Sequence, residues 1–472
     1  MTTTDSAGET RRTGVPMPTT LSTAEDGFHR FGGSVRVDGA RLIRRLGELG
    51  RIGSAAGKGV SRLAFSPEDQ QARQLVVEYM REAGLAPYVD PAGNIVARDR
   101  EADSGEPVLM LGSHIDTVPG GGAYDGSVGV LAAIEVAQTV KENSLPLRSP
   151  LVVTVFADEE GTRGTPPMWG SHAMAGSLTE EHLATVTTAG EPMDTLVASV
   201  GGDLSRIAAA AWPAGAIDTY LELHIEQGPV LEHHEVDIGI VEAISGRVSI
   251  TVDIDGRAAH AGTTPMELRS DALVAAARII LAVQDIADRE RLVRVATVGR
   301  CEVTPGTWNV VPGRVRIPID LRDIDLGALD RAITAVRRLT AQIADQTSTT
   351  ITATTIDRVL PAPCDPTLRR LLAEASDELK LTRIEMASGA GHDAQVITSI
   401  APAAMVFIPS VNGISHAPDE YSEACHIVNG ADILLRAATS HVPGSCRTPA
   451  SAPPQNATTR EEHRCGSSGS AE

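Results

Sequence analysis

Apolar residues recur along the chain in two rhythms, helical and strand-like. Val35 to Arg51 and Glu68 to Ala83 repeat them at helical steps, and Tyr88-Val89-Asp90 and Asn94-Ile95-Val96-Ala97 then predict strands. Pro107 to Leu111 is a short apolar run bounded by turn residues, and Leu151 to Ala157 is a second, rich in Val, Thr and Phe. Both predict buried strands. Val128 to Val140, between them, reads as an apolar helix, so this is the start of an α/β domain. From about residue 246 to 356 the order is strand (Val248 to Ile254), helix (Ser270 to Ala287), strand (Val293 to Val298), strand (Val315 to Leu321), helix (Leu326 to Gln342) and strand (Thr350 to Thr355). That βαββαβ order is the ferredoxin-like split unit and predicts an inserted domain. Its first helix repeats Ala272, Leu273, Ala276, Ala277, Ile280 and Leu281 at three- and four-residue steps, a core-packing pattern. The α/β pattern then resumes to about residue 440.

Polar residues cluster just beyond the two buried strands: His114 and Asp116 after the first, Asp158, Glu159 and Glu160 after the second. Open parallel sheets bind ligands beyond the carboxyl ends of their strands. Residues two apart in extended backbone share a face, so Asp116 is expected to reach the ring nitrogen that His114 does not offer to a metal. Asp125 follows a glycine-rich loop and is expected to cap the Val128 helix and accept metal as well. Glu159 and Glu160 should point to opposite sides, one binding metal and the other facing the attacking water. Taken alone, Asp-Glu-Glu is more often a solvated acidic turn, and His224 and His416, each ending an apolar segment, would more often be structural. Together with His114, Asp125 and Glu160 they supply nitrogen and oxygen ligands suited to Zn²⁺, Mn²⁺, Co²⁺ or Ni²⁺.

Val315, Ile317, Ile319 and Leu321 share one strand face and Arg322 lies on the other, which frees its guanidinium to hold a carboxylate in the cleft. The competing reading is a surface ion pair with Asp320 or Asp323. Asn309 sits in a loop rich in Pro and Gly, where asparagine usually serves a turn. His392-Asp393 reads as a loop-holding pair or a direct substrate contact.

At 472 residues with 42% hydrophobic content, at least two domains are expected. A net charge of −20 disfavours nucleic acid or anionic membrane as a partner. Cys301, Cys364, Cys425, Cys446 and Cys465 are odd in number and lack Cys-x-x-Cys spacing, which fits reduced cytoplasm. Arg11-Arg12 is not followed by an apolar stretch, so no secretion signal is expected. No apolar run approaches the roughly 20 residues that span a bilayer.

His114-x-Asp116, Asp125-Gly126, Glu159-Glu160-Gly161, His224-Ile225-Glu226-Gln227-Gly228-Pro229, His260-Ala261-Gly262-Thr263-Thr264-Pro265-Met266, Ser388-Gly389-Ala390-Gly391-His392-Asp393-Ala394 and Gly413-Ile414-Ser415-His416 occur in that order. With these motifs the chain resembles the amidase, hydantoinase and carbamoylase branch of the M20 metallopeptidase-like hydrolases, from about residue 35 to about 440. The resemblance implies an α/β fold: a phosphorylase/hydrolase-like catalytic domain with a mixed sheet (34–245 and 357–441) and an inserted ferredoxin-like α+β dimerisation and lid domain (246–356). Residues 1–33 and 442–472 would be tails.

The same resemblance implies two divalent ions per subunit. Asp125 would bridge them, His114 and His224 would complete one, and Glu160 and His416 the other. Glu159 would be the general base, with Asp116 supporting His114. His260 would reach the neighbouring subunit's site in a homodimer and stabilise the oxyanion. Arg322 and Asn309 would bind the substrate carboxylate, and Gln227 and the Gly389 backbone would line the pocket. The expected reaction is hydrolysis of the carbamoyl C–N bond of an N-carbamoyl-L-amino acid. Allantoate is the nearest alternative, then β-ureidopropionate and acylated amino acids or peptides, and a metal-free binding protein is the non-enzymatic one. After Glu160-Gly161 the chain departs from the family pattern: Gly164-Thr165-Pro166-Pro167 follows Arg163 where an aromatic segment is expected, which bears on the pocket wall.

Overall fold

The computed structural model describes residues 35–99 and 105–440; the expected tails, and with them Cys446 and Cys465, lie outside those residues. The catalytic half is built on a nine-stranded mixed sheet. Four strands at its centre, Ala403–Ile408, Ile217–Ile225, Val108–His114 and Leu151–Phe156, run parallel in that spatial order. All four are almost wholly buried, as parallel strands covered on both faces must be. Ile95–Asp99 flanks them antiparallel on one side, with Leu85–Val89 antiparallel to it in turn, and Ile238–Ile244 flanks them antiparallel on the other.

The expected strand at Pro107 to Leu111 begins at Val108 and extends to His114, so this histidine is the last residue of the strand. Helices Gly39–Leu49, Ser127–Glu142 and Ala424–Ser440 pack together on the sheet, and their apolar faces join the sheet's in one large core. Pro67–Glu82 begins as its sequence directs, with Ser66 accepting a hydrogen bond from the Asp69 N–H and Pro67 in the first turn.

Residues 246–359 form a five-stranded antiparallel sheet with a hydrophobic core of its own. Its main strands lie in the order Val295–Thr297, Arg314–Asp323, Gly246–Asp255, Thr350–Val359, which is the ferredoxin-like order. Alternation decides its faces: Val315, Ile317, Ile319 and Leu321 are buried, as are Val248, Ile250, Val252 and Ile254 on the neighbouring strand. The helices begin at Asp271 and Asp325 caps. Two details differ from expectation. The strand at Val293 to Val298 is reduced to Val295–Thr297, and Glu302–Thr304 adds a short strand against Arg314–Arg316. No helix among the described residues is long and apolar enough to cross a membrane.

Candidate active site

The parallel strands end at one edge of the sheet, and the candidate residues follow those ends. His114 and His224 lie on neighbouring strands, with ring centroids 6.0 Å apart. Asp125 enters from the loop before the Ser127 helix, Glu159 and Glu160 from the turn after Phe156, and His416 from the loop after Ile408. His224 Nε2 lies 3.1 Å from Asp125 Oδ1, His416 Nε2 2.9 Å from Asp125 Oδ2, and His416 Nε2 3.4 Å from Glu160 Oε1. Glu159 Oε2 stands 3.9 Å from His114 Nε2.

These residues fit divalent ions. Potential ligand atoms of His114, Asp125 and His224 lie within 4.8 Å of one another, and so do those of Asp125, Glu160 and His416. Metal bonds of about 2 Å in tetrahedral geometry separate ligand atoms by about 3.3 Å, close to the spacings around Asp125. Moreover, Asp125 Oδ1, Glu160 Oε1 and His224 Nε2 are buried without hydrogen-bond partners. Such atoms are costly unless something else satisfies them. At 3.1 Å, His224 Nε2 and Asp125 Oδ1 are as close as two ligands of one ion, yet they form no hydrogen bond with each other.

Packing so much charge together perturbs it. Burial opposes ionisation of Asp125, but His224 and His416 beside it hold its carboxyl well below the usual range. Burial and Asp125 push Glu160 up to about 7. His416 is raised to about 9, chiefly by its contact with Asp125. Burial lifts Glu159 well above the normal range, with Glu160, Asp393 and Asp116 adding to the shift and His114 opposing it.

Several expectations are corrected. Asp125 does not cap the helix: the cap position belongs to Gly126, at φ 61°, with no side-chain cap bond, because the Asp125 carboxylate is turned towards the histidines. Gly126 is needed there for a second reason, since a Cβ would overlap the His114 ring. His114 Nδ1 lies 3.0 Å from the main-chain oxygen of Asp116 and 3.6 Å from its carboxylate. The carbonyl therefore orients the ring, while the Asp116 carboxylate accepts from the N–H groups of Glu159 and Glu160 at 3.3 and 3.2 Å. Glu159 and Glu160 diverge at a turn, not along extended backbone; Asp158 has φ 55° and Gly161 φ 60°.

Gln227, expected to line the pocket, donates its amide to Asp125 Oδ2 at 2.9 Å. Arg322 pairs with Asp320 at 2.8 Å, as the competing reading expected, and also donates to the Gly389 carbonyl at 2.7 Å, tying the inserted sheet to the catalytic half. His260 and Asn309 are exposed in the inserted region, on either side of a small two-stranded pairing, where the Asn309 carbonyl accepts from the Ala261 N–H at 3.0 Å. His260 Nδ1 accepts from the Gly262 and Thr263 N–H groups, both at 3.1 Å. His392 is buried against His224, with ring centroids 4.5 Å apart, and its Nε2 lies 2.8 Å from Ser388 Oγ, so it braces the site from behind. In the atypical segment, Arg163 donates to the Ala64 carbonyl at 3.1 Å and pairs with Glu191, fixing that wall.

Two buried carboxylates escaped the sequence reading. Glu222 accepts from Ser113 Oγ, Tyr220 OH and the Ala394 N–H beneath the histidines. Glu420 accepts from the N–H groups of Tyr124 and Asp125. The only available signals were a glutamate two residues before His224 and another four after His416.

A parallel-centred sheet carrying a histidine and carboxylate cluster at its strand ends defines the class of α/β metallohydrolases. Within it, residues 110–440 match peptidase family M20/M25/M40, and the chain belongs to that family. It is 39% identical to the N-carbamoyl-L-amino acid amidohydrolase of Geobacillus stearothermophilus, over 84% of this chain and 97% of that protein. It is 35% identical to the allantoate amidohydrolase of Bacillus subtilis, over 82% of this chain and 93% of that one. The crystal structure of a hydantoinase/carbamoylase family amidase from Burkholderia multivorans superimposes with a TM-score of 0.79 at 36% identity, covering 86% of this chain and 98% of that one.

Proposed function

We propose that the protein hydrolyses the carbamoyl C–N bond of N-carbamoyl-L-amino acids, releasing L-amino acid, CO₂ and ammonia, as a cytoplasmic homodimer with two first-row divalent ions per subunit. The observation that carries this reading is the pair of ligand groups sharing Asp125, with the Glu159 carboxylate beside them. His114, Asp125 and His224 would hold one ion, and Asp125, Glu160 and His416 the other. Ions bound there supply Lewis-acid polarisation and make water easier to deprotonate. Glu159 takes the proton from the attacking water and passes it to the departing amino-acid nitrogen; its buried setting favours holding that proton in between. The C–N bond breaks, and the resulting carbamic acid decomposes to CO₂ and ammonia.

Arg322 and Asn309 would bind the substrate carboxylate, with the Gly389 backbone and Gln227 as walls. The two N–H groups that His260 Nδ1 accepts leave the ring proton on Nε2, the tautomer needed to donate to an oxyanion. Its exposure supports action across a subunit interface. So do the exposed apolar side chains of Met266, Leu268, Leu281 and Trp308 in the same region, the last 97% exposed.

Allantoate is the second reading, favoured by the likeness to the Bacillus subtilis enzyme and by the ureido group and carboxylate it shares with carbamoyl amino acids. The test is ammonia release by metal-reconstituted protein given N-carbamoyl-L-methionine, its D-enantiomer and allantoate. Turnover of the L-compound is expected to dominate. Preference for allantoate would replace the substrate and keep the mechanism, and inactivity on all three would reject both substrates.

A further inference from the structure

Glu420 lies outside both ligand groups, yet it joins the loops that carry two of the ligands. One carboxylate oxygen accepts from the Tyr124 and Asp125 N–H groups, each at 3.0 Å. The other accepts from Ser415 Oγ at 2.8 Å and the His416 N–H at 3.3 Å. The side chain is buried and runs over Gly122, where a Cβ would overlap its carboxylate. A glycine in one loop thus makes room for a glutamate from the other.

The two ligand groups depend on this link unequally. His114 and His224 are buried at the ends of sheet strands, so their backbones are fixed by the sheet itself. His416 sits on a loop with its side chain 47% exposed and its backbone at φ 55°, a conformation that non-glycine residues adopt only when their surroundings impose it. Its ring meets Asp125, Glu160 and Gln227 only through Nε2, the atom an ion would take, so the Glu420 bond to its main-chain N–H is what holds its backbone in place, and the same carboxylate holds the Asp125 backbone.

We infer that Glu420 is a positioning residue chiefly for the Glu160/His416 ion, because the other ion keeps two ligands, His114 and His224, that the sheet itself fixes, and that the two ions are held with different strengths, the His114/His224 ion tightly and the Glu160/His416 ion through the Glu420 clasp. The inference rests on the two-metal reading above. Replacing the glutamate by glutamine leaves one oxygen and one NH₂ to meet four donors, which breaks half of the clasp.

The experiment titrates the metal-stripped full chain with Mn²⁺ alone, by calorimetry and by metal analysis after desalting, for the wild type, E420Q and G122A. The wild type should bind two ions in separable steps. Both variants should keep the first step and weaken the second about 10- to 100-fold, the usual effect of removing a group that orients a ligand. S415A, which removes one of the four bonds, should weaken the second step less and serves if the other two variants fail to fold. Unchanged second-step affinity in the folded variants, or equal loss of both steps, would overturn the clasp. A wild type that binds no ion would instead overturn the metal reading, and the inference with it.

Discussion

The candidate ligand cluster at the sheet edge and the exposed face of the inserted sheet are built on opposite plans. Around Asp125 the candidate side chains, the exposed His416 excepted, are buried or half-buried and held by groups of the same chain: His114 by the Asp116 carbonyl, Gln227 by Asp125, His392 by Ser388. On the inserted face, His260 and Asn309 stand in solvent, and Arg322 is held by Asp320 and Gly389. The difference teaches which tasks must be settled in advance. Ligand geometry has to be fixed before an ion arrives, by burial for His114 and His224 and by hydrogen bonds to the backbone for His416. Groups that grip substrate must admit it first and can be completed by closure or by a second subunit.

Three predictions sharpen or break this contrast. The largest effect belongs to the buried region: Glu159→Gln should lower kcat by about 10³- to 10⁴-fold while metal content stays that of the wild type. Loss of metal as well would place Glu159 among the ligands. His260→Ala should lower kcat by about 10²- to 10³-fold, the scale of losing one oxyanion donor. Mixing it with Glu159→Gln and allowing subunits to exchange should recover activity, because one site of the hybrid dimer then has both intact residues. No recovery would mean that His260 acts within its own subunit, and the exposed face would lose its cross-subunit role. The smallest effect should come from Arg322→Lys, which keeps the charge but loses the planar fork: KM should rise about tenfold with kcat little changed. A fall in kcat at constant KM would show that the Asp320 and Gly389 contacts organise the cleft and that the guanidinium does not hold the carboxylate.

Much of this was legible because it is local. The βαββαβ order of 246–356 follows from period and spacing, and the facing of Val315 to Leu321 from alternation. The candidate ligands stand in short motifs at the ends of apolar runs, and the structure brings them together because strand ends in a parallel sheet converge on one edge. The failures share a cause. Asp125 read as a helix cap because its neighbours in sequence include an N-terminal turn, whereas its neighbours in space are His224 and His416. For Arg322 the pairing with Asp320 two residues away could be read from the strand, whereas the contact with Gly389, 67 residues away, could not.

The periodic elements, their order and the kinds of side chain available for chemistry follow from the order of residues alone, because those depend on backbone geometry and composition within a few residues. Which atoms of those side chains face one another was settled by the folding of distant segments onto one another. It set the Asp116 carbonyl against the His114 ring, turned Glu159 and Glu160 apart at a left-handed Asp158, and laid Glu420 over Gly122. The reason is physical: hydrogen-bond partners and ligand spacings are fixed by loops distant in sequence that share one sheet edge, and no local propensity encodes that meeting.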